Sequence, residues 1–391
     1  MSAESRQPVI AGVADVNLTN GKAPDGSSVL GLQATAARAA LADAGLTLDA
    51  VDGLFTTAGW GIPGVGLMAP TTVAEYLGVR PRILDSTSVG GASFEAHAAH
   101  ASLAIEQRYC DVALITFSSM QRTARSRSMG GRPGEFALQY EVPYGLLNPV
   151  GAYALAAARY MYEYHATSEE LAMVAVATRE WARLNPHATK RDPLSVEEVL
   201  SSPLVSDPLH VLDCCLVTDG AGAVVITSAE HAAATASGKK PVRILGYGEA
   251  STHNVISQMP DLTWTAAADS GQRALEHAGL SLAEIDVAEI YDSFTITVLL
   301  TLEALGFCKR GEAASFVASG ATAPNGELPL NTNGGGLSCL HPGMYGIFLL
   351  IEATRQLRGE CGERQVFGAR TALVNGTGGT LSNTATCILS S

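Results

Sequence analysis

The chain reads as an α/β protein made of two similar halves, and three observations lead there. Of its 391 residues 47% are hydrophobic and 40 are glycine, with a mean hydropathy of +0.17, the balance of a chain that builds a sizeable core. Apolar residues recur with a period of two in some segments and of three to four in others, so strands and helices alternate along the sequence. A thirteen-residue unit also recurs: Ala40-Leu-Ala-Asp-Ala-Gly-Leu-Thr-Leu-Asp-Ala-Val-Asp52 and Ala274-Leu-Glu-His-Ala-Gly-Leu-Ser-Leu-Ala-Glu-Ile-Asp286 agree at seven positions. Each copy predicts the end of a helix, a glycine cap, a short polar turn with an acidic residue, and a strand. The halves are set at residues 1–240 and 241–391, the second starting near Pro241 after the polar stretch 228–240.

In chain order, the first half predicts strands over 9–18, 53–57, 83–88, 112–117 and 222–226, and helices over 33–44, 71–77 and 92–107. Between residues 118 and 211 the repeat is interrupted by a polar segment rich in Pro and Gly, carrying helices over 153–164 and 168–185. It reads as an insertion. In the second half, Glu327-Leu-Pro-Leu-Asn331 predicts a short strand, and Tyr345-Gly-Ile-Phe-Leu-Leu-Ile-Glu-Ala an amphipathic helix.

Charge and cysteine content exclude several functions. A net charge of −13 and a pI of 5.1 leave no basic stripe to neutralise a nucleic-acid backbone. Arg122, Arg125, Arg127 and Arg132 form one basic cluster in a glycine- and serine-rich loop, either to meet the phosphates of a small anionic ligand or to be solvated. Seven cysteines without CxxC spacing argue for a reducing compartment, against a disulfide framework and against a zinc site. Cys214 and Cys215, adjacent in an apolar stretch read as strand, are assigned to packing. Met1-Ser-Ala-Glu-Ser-Arg6 has no apolar leader core, and no apolar run reaches the roughly 18 residues of a membrane span, so a cytoplasmic location is expected.

The chemistry concentrates in Asn331-Thr-Asn-Gly-Gly-Gly-Leu-Ser-Cys-Leu-His341-Pro-Gly-Met-Tyr345-Gly, a glycine-rich turn predicted to open a helix and to present backbone N–H groups beside an imidazole. This run resembles the NxxGGxxxxxHP element of the thiolase superfamily in its sterol-carrier-protein-type branch. Glu289-Ile-Tyr-Asp-Ser-Phe-Thr295, Leu302-Glu-Ala-Leu-Gly-Phe-Cys308 followed by Lys309-Arg-Gly-Glu312, Asp213-Cys-Cys215 with Asp219-Gly-Ala221, and Gln356-Leu-Arg-Gly359 resemble further blocks of that branch in the same order. The resemblance implies two duplicated halves in five layers (α-β-α-β-α), with residues 118–211 as a loop domain over the acyl-CoA channel.

Thiolases carry a nucleophilic cysteine in a C-x-x-G turn at a helix N-terminus and an acid/base cysteine in a C-x-G-G-x-G turn. Aligned on the glycines, Ser88 of Asp85-Ser-Thr-Ser-Val-Gly-Gly91 and Gly376 of Val374-Asn-Gly-Thr-Gly-Gly379 stand in those two places. Residues 85–94 offer Ser88 no imidazole to activate it, which leaves its hydroxyl a weak nucleophile. Cys339 is the one cysteine near the HP element.

With both cysteines missing and tyrosines at 291 and 345, the chain resembles the lipid-transfer-protein-like aldolases of steroid side-chain degradation. That resemblance implies retro-aldol cleavage of a β-hydroxyacyl-CoA to a ketone and a shorter acyl-CoA, no cofactor beyond the substrate's own coenzyme A, no metal, and no covalent intermediate. It also implies a homodimer joined through the first half and a small DUF35 OB-fold partner completing a heterotetramer. Tyr345 is the expected base and Tyr291 the expected acid, with the reverse left open. His341 is the oxyanion donor or the group tuning Tyr345, Asn331 and the Ser88 and Gly376 positions lie around the oxyanion, and Asp292 ties down the loop. Two rival readings stay open: an acyltransferase working through Ser88 or Cys339, and an acyl-CoA or lipid carrier without chemistry.

Overall fold

A computed structural model describes residues 6–58, 68–124, 135–146, 148–235 and 237–391. The first half runs β1 (Pro8–Asp15), α1 (Val29–Asp43), β2 (Gly53–Phe55), α2 (Ala69–Leu77), β3 (Ile83–Asp85), α3 (Ser93–Glu106) and β4 (Val112–Ser119). Then come α4 (Glu135–Tyr140), α5 (Val150–Tyr164), α6 (Ser168–Leu184), α7 (Val196–Ser201) and the small ladder of β5 (Leu204–Ser206) with β6 (Leu209–His210), before β7 (Gly220–Ser228) and α8 (Ala229–Ala233). The second half runs β8 (Val242–Ser251), α9 (Ala267–Ala278), β9 (Val287–Ile290), α10 (Thr295–Leu305), α11 (Ala313–Ala318), α12 (Gly346–Arg358), β10 (Thr371–Gly378) and β11 (Asn383–Ser390).

The main sheet has the order β3-β2-β4-β7-β1-β8-β11-β10-β9. From its middle outward, the first half runs β1, β7, β4, β2, β3 and the second β8, β11, β10, β9, each half placing its first strand innermost and its last strand next, and the halves meet where β1 pairs with β8 at Val9↔Arg243 and Ile10↔Val242. Expected as two sheets, the strands thus form one hydrogen-bonded ribbon, joined by only two residue pairs. The ribbon curls, because α3 and α12 touch strands of both halves.

Burial then falls into the layers of a thiolase fold. Ala36, Ala40 and Leu41 of α1 pack on Leu54, Leu114 and Val225 at one outer face. Phe94 and Ala98 of α3 and Ile347 and Leu350 of α12 fill the middle, against Ile115 and Ile226 on one side and Val374 and Leu389 on the other. Leu373 and Ile388 turn the opposite way, toward α9 and α10. Strands buried on both faces have no polar side to show, which is why they read as nearly continuous apolar runs. Tyr153, Tyr160, Leu171 and Val174 of the segment between β4 and β7 join that last cluster, so α5 and α6 are packed on the second half.

The repeated unit does the same work twice. Gly45 (φ 69°) and Gly279 (φ 66°) take the left-handed conformation that ends each helix. Asp52 then accepts the N–H groups of Asp111 and Val112 at 2.8 Å, while Asp286 accepts those of Arg370 and Thr371 at 2.8 and 3.0 Å. Each acid therefore docks the start of the strand beside its own, β4 or β10.

Three local expectations are corrected. The run ending at Asn331 makes a single bridge, Ala288↔Leu330, because Pro329 has no N–H to donate and Asn331 turns away at φ 53°. Cys214 and Cys215 lie half-buried in an irregular loop rather than in a strand, since β7 starts only at Gly220. The strand begun at Ile83 stops at Asp85, whose Oδ1 accepts from Thr87 N–H at 2.7 Å and turns the chain.

Replacing Asp286 by alanine removes a carboxylate that takes two backbone donors, so the variant is expected to lose about 1–3 kcal/mol of stability, and Asp52→Ala a similar amount. Urea unfolding measures this; losses under about 0.5 kcal/mol, the scale of an ordinary surface change, would show that the acids do not dock these strands.

Candidate active site

The site forms where the end of β9 meets the glycine-rich turn. Tyr291 leaves β9 with its N–H donated to Asn375 of β10 at 2.9 Å. The next residue, Asp292, is buried, and its carboxyl accepts from Gly336 N–H at 2.6 Å and Leu337 N–H at 3.1 Å. A β-carbon on Gly335 would fall 2.1 Å from Asp292 Oδ2, so this approach requires glycine. Residues Gly335–Cys339 make one π-helical turn, and His341 follows in the loop beyond it. The imidazole is therefore not at a helix N-terminus as expected; Tyr345 holds that position, capping α12.

His341 is fixed from the first half of the chain. Its N–H donates to Thr218 Oγ1 at 3.0 Å and its carbonyl accepts from Thr218 N–H at 3.1 Å. Thr218 precedes Asp219, whose carboxyl takes the N–H groups of Ala23 and Thr123. Two unrelated strand ends thus bring Tyr291 Oη and His341 Nε2 to 2.8 Å. Tyr345 completes a cluster of three rings, edge-on to Tyr291 at 5.9 Å and stacked on His341 at 6.2 Å.

Burial sets the protonation of these groups. It holds His341 neutral by lowering its pKa to about 4 and pushes both phenols well above their usual range. Desolvation also raises Asp292 to about 7 against the pull of its amide donors.

Tyr291 and His341 line one pocket together with Gly90, Gly91, Cys215 and Thr377-Gly-Gly379, and Tyr153 of α5 reaches it from the inserted segment, its hydroxyl donating to the Gly379 carbonyl at 3.3 Å. Gly91 makes room for the Tyr291 ring: a β-carbon there would stand 2.1 Å from Tyr291 Cε2. Cys215 adds a thiol that burial keeps protonated.

Other expected site residues are placed elsewhere. Tyr345 is fully buried outside the pocket wall, its hydroxyl donating to Asn333 Oδ1 at 2.8 Å. Ser88 is exposed and off the pocket, because the chain turns inward only at Gly90 (φ 71°). Asn331 uses its Oδ1 to accept from Ile290 N–H at 2.7 Å, securing β9 instead of facing the cavity. Cys339 belongs to a second, polar cavity behind the turn, with Asn185 and Glu352, and burial holds its thiol protonated. Glu289, first in its motif, also faces that side, accepting from Thr332 Oγ1 at 2.8 Å. Gly376 carries no side chain, and the buried Glu95 carboxyl fills the space beside it. Of the arginine cluster, Arg122 is exposed and donates to the Asn20 carbonyl, while Arg125, Arg127 and Arg132 lie outside the described residues. Thr218, Gly91 and Tyr153 were not singled out by sequence reading; Thr218 adjoins the Asp219 motif, and Tyr153 carries no local signal.

Residues 248–391 match the family model described as thiolase C-terminal domain-like. A steroid side-chain-cleaving aldolase of Thermomonospora curvata is 33% identical over 374 residues, covering 90% of this chain and 91% of that protein. The chain belongs to the thiolase superfamily, in its sterol-carrier-protein-type branch. A solved structure titled Ltp2-ChsH2(DUF35) aldolase superposes on this thiolase-superfamily chain with a TM-score of 0.88 and 31% identity, covering 99% of it and 98% of the other. An acetyl-CoA acetyltransferase of Methanothermobacter thermautotrophicus is 37% identical over 254 residues, 64% of this chain and 66% of that enzyme.

Gly91→Ala is expected to press on the Tyr291 ring and cost about 1–3 kcal/mol, as overpacked buried sites do. Thermal unfolding checks this; an unchanged melting temperature would show that the ring has slack.

Proposed function

We propose that this chain is a carbon–carbon lyase that cleaves a β-hydroxyacyl-CoA by retro-aldol reaction, yielding a ketone and a shorter acyl-CoA. The reading is carried by the Tyr291–His341 hydrogen bond at the pocket wall, and it agrees with the aldolase relative. Neutral His341 accepts the Tyr291 proton as Tyr291 takes that of the substrate's β-hydroxyl. The Cα–Cβ bond breaks, its electron pair moves into the thioester as an enolate, and the couple returns the proton to the α-carbon. No proton is gained or lost overall, and no covalent intermediate forms. In this scheme Tyr291 serves in both directions, while Tyr345, bonded to Asn333, holds the imidazole plane by stacking.

The solved aldolase pairs with a DUF35 protein, and we assign this chain a DUF35 partner and a homodimeric core, together a heterotetramer. The coenzyme A of the substrate is its only carrier group. Acyl transfer of the kind named for the archaeal relative would need a nucleophile, and at this pocket only Cys215 offers a thiol.

The test is release of ketone and acyl-CoA from a tertiary β-hydroxyacyl-CoA, with the partner protein supplied. Tyr291→Phe and His341→Ala are each expected to lower turnover by about 10² to 10⁴-fold with little change in melting temperature, and Tyr345→Phe by less. An equal loss in Tyr345→Phe would give that phenol a proton-transfer step of its own; an acyl adduct on Cys215 by mass spectrometry would replace the lyase reading with acyl transfer.

The pH profile tests His341 directly. Its pKa is lowered to about 4, so the proton-accepting form prevails above that and is lost as pH falls through it. Turnover should therefore lack the acid limb near 6.5 of an ordinary histidine. A limb at that pH would remove His341 from the acceptor role.

A further inference from the structure

Beneath the pocket lies a buried carboxyl. Glu95, on the first turn of α3, is fully buried, and neither of its side-chain oxygens has a hydrogen-bond partner among the described residues. Glycines make its room. A β-carbon on Gly376 would fall 2.2 Å from Glu95 Oε2, and one on Gly346 would fall 2.4 Å from the same atom and 2.2 Å from the Gly91 carbonyl oxygen. Each of these backbones belongs to the site. Gly376 leads into Thr377-Gly-Gly379 of the wall, Gly91 lines the wall and abuts Tyr291, and Gly346 directly follows Tyr345.

A buried acid without a partner is costly, and the cost grows steeply once it ionises. Folded chains keep such groups where the surroundings use them. We infer that Glu95 is a positioning residue, its uncharged carboxyl occupying the space beside the bare Gly376 and spacing β10, Gly91 and the start of α12 so that Tyr291 stays against His341. This rests on the lyase reading above, in which that pair moves the proton.

Among the described residues no cation stands beside the carboxyl to hold the ionised form. β10 and α12 face the carboxyl with Gly376 and Gly346. From β11 comes Cys387, a thiol that burial keeps protonated and that donates to the Glu95 backbone carbonyl at 3.5 Å. Beyond it on β8 stands Glu249, bonded to His100 at 3.0 Å. On α3 itself, His97 turns toward Phe55 and Phe94. Burial raises Glu95 to about 8, so the packed form is the acid, and it ionises as pH rises through that value.

Two measurements on the full chain decide the matter. In kinetics, wild-type kcat should fall as pH rises through about 8 with KM for the acyl-CoA unchanged, and Glu95→Gln should lack that alkaline limb; a limb that persists in Glu95→Gln overturns the inference. In unfolding, the raised pKa means a contribution that is complete below the unfolded value and is lost as pH rises to 8. The wild-type folding constant should therefore drop by about tenfold per pH unit between about pH 5 and 8 relative to Glu95→Gln. A melting-temperature cycle keeps the geometry testable if a variant is weakened: Gly376→Ala should destabilise the wild type by more than it destabilises Glu95→Ala, where only the Ala92 backbone, 2.8 Å from the added β-carbon, still opposes it, and equal losses in both backgrounds overturn the packing. Absence of wild-type turnover counts against the lyase reading alone, because the unfolding measurements do not depend on it.

Discussion

The carboxyl of Asp292, taking the N–H groups of Gly336 and Leu337, is the junction on which the site depends. It binds the end of a core strand to a turn that has no regular ladder of its own. Three consecutive glycines permit the approach, and the π-helical turn they form sends the chain back so that His341 reaches Tyr291. A β-carbon at Gly335 would push the turn off the carboxyl, and the imidazole would move with it. The hydroxyl–imidazole contact is thus set by backbone bonds made several residues away, and Thr218 fixes the far end of the same loop. Pre-set geometry of this sort is what a proton transfer needs, since little is left to be ordered at the moment of reaction.

The same burial that fixes the groups also strains the molecule electrostatically. His97 and His341 are held neutral with pKa values of about 4, whereas Glu95 and Asp292 are held protonated up to about 8 and 7. For the histidines, whose folded values lie below the unfolded ones, stability is lost as pH falls from about 6.5 toward 4. For the two acids, whose folded values lie above, it is lost as pH rises from about 4 through 7 and 8. Where the ranges overlap, from about 4 to 6.5, the two trends oppose each other, and above about 6.5 the acids act alone and stability falls as pH rises. Mildly acidic solution is therefore where these four groups leave the fold least perturbed by pH, and the Tyr291–His341 couple has its uncharged form there.

Much of the fold was legible in the sequence because both determinants are local. Helices α1, α3, α5 and α6 appear within a few residues of the expected ranges, and the two repeated acids mark the same strand junction in each half. Tyr291, His341 and Asp292 were legible through their motifs. What failed was direction. Ser88 is in the expected turn but faces solvent, Asn331 secures a strand, and Tyr345 points to Asn333, because a motif fixes which residues are present and not which side of a turn they occupy. Pairing of β1 with β8 was not legible either, since it depends on the curl of the whole sheet around α3 and α12. Tyr153 enters the pocket from a helix more than a hundred residues from Tyr291, a distance that no local pattern spans.

Duplication explains where the site lies. Each half sends one helix into the middle layer, α3 from the first and α12 from the second, and their N-terminal ends meet: the Gly91 carbonyl lies so near Gly346 that a β-carbon there would fall 2.2 Å from it. Gly90 and Gly91 before α3 and Met344 before α12 both reach the pocket. Helix N-termini carry unpaired N–H groups and the positive end of the helix dipole, so two of them converging create a field that favours negative charge between them. An enolate is such a charge, and under the retro-aldol scheme it forms beside Tyr291, between these two ends. Tyr291 and His341 come from the end of β9 and the turn of the second half alone, so the two helix ends follow the duplication and the hydroxyl–imidazole pair does not.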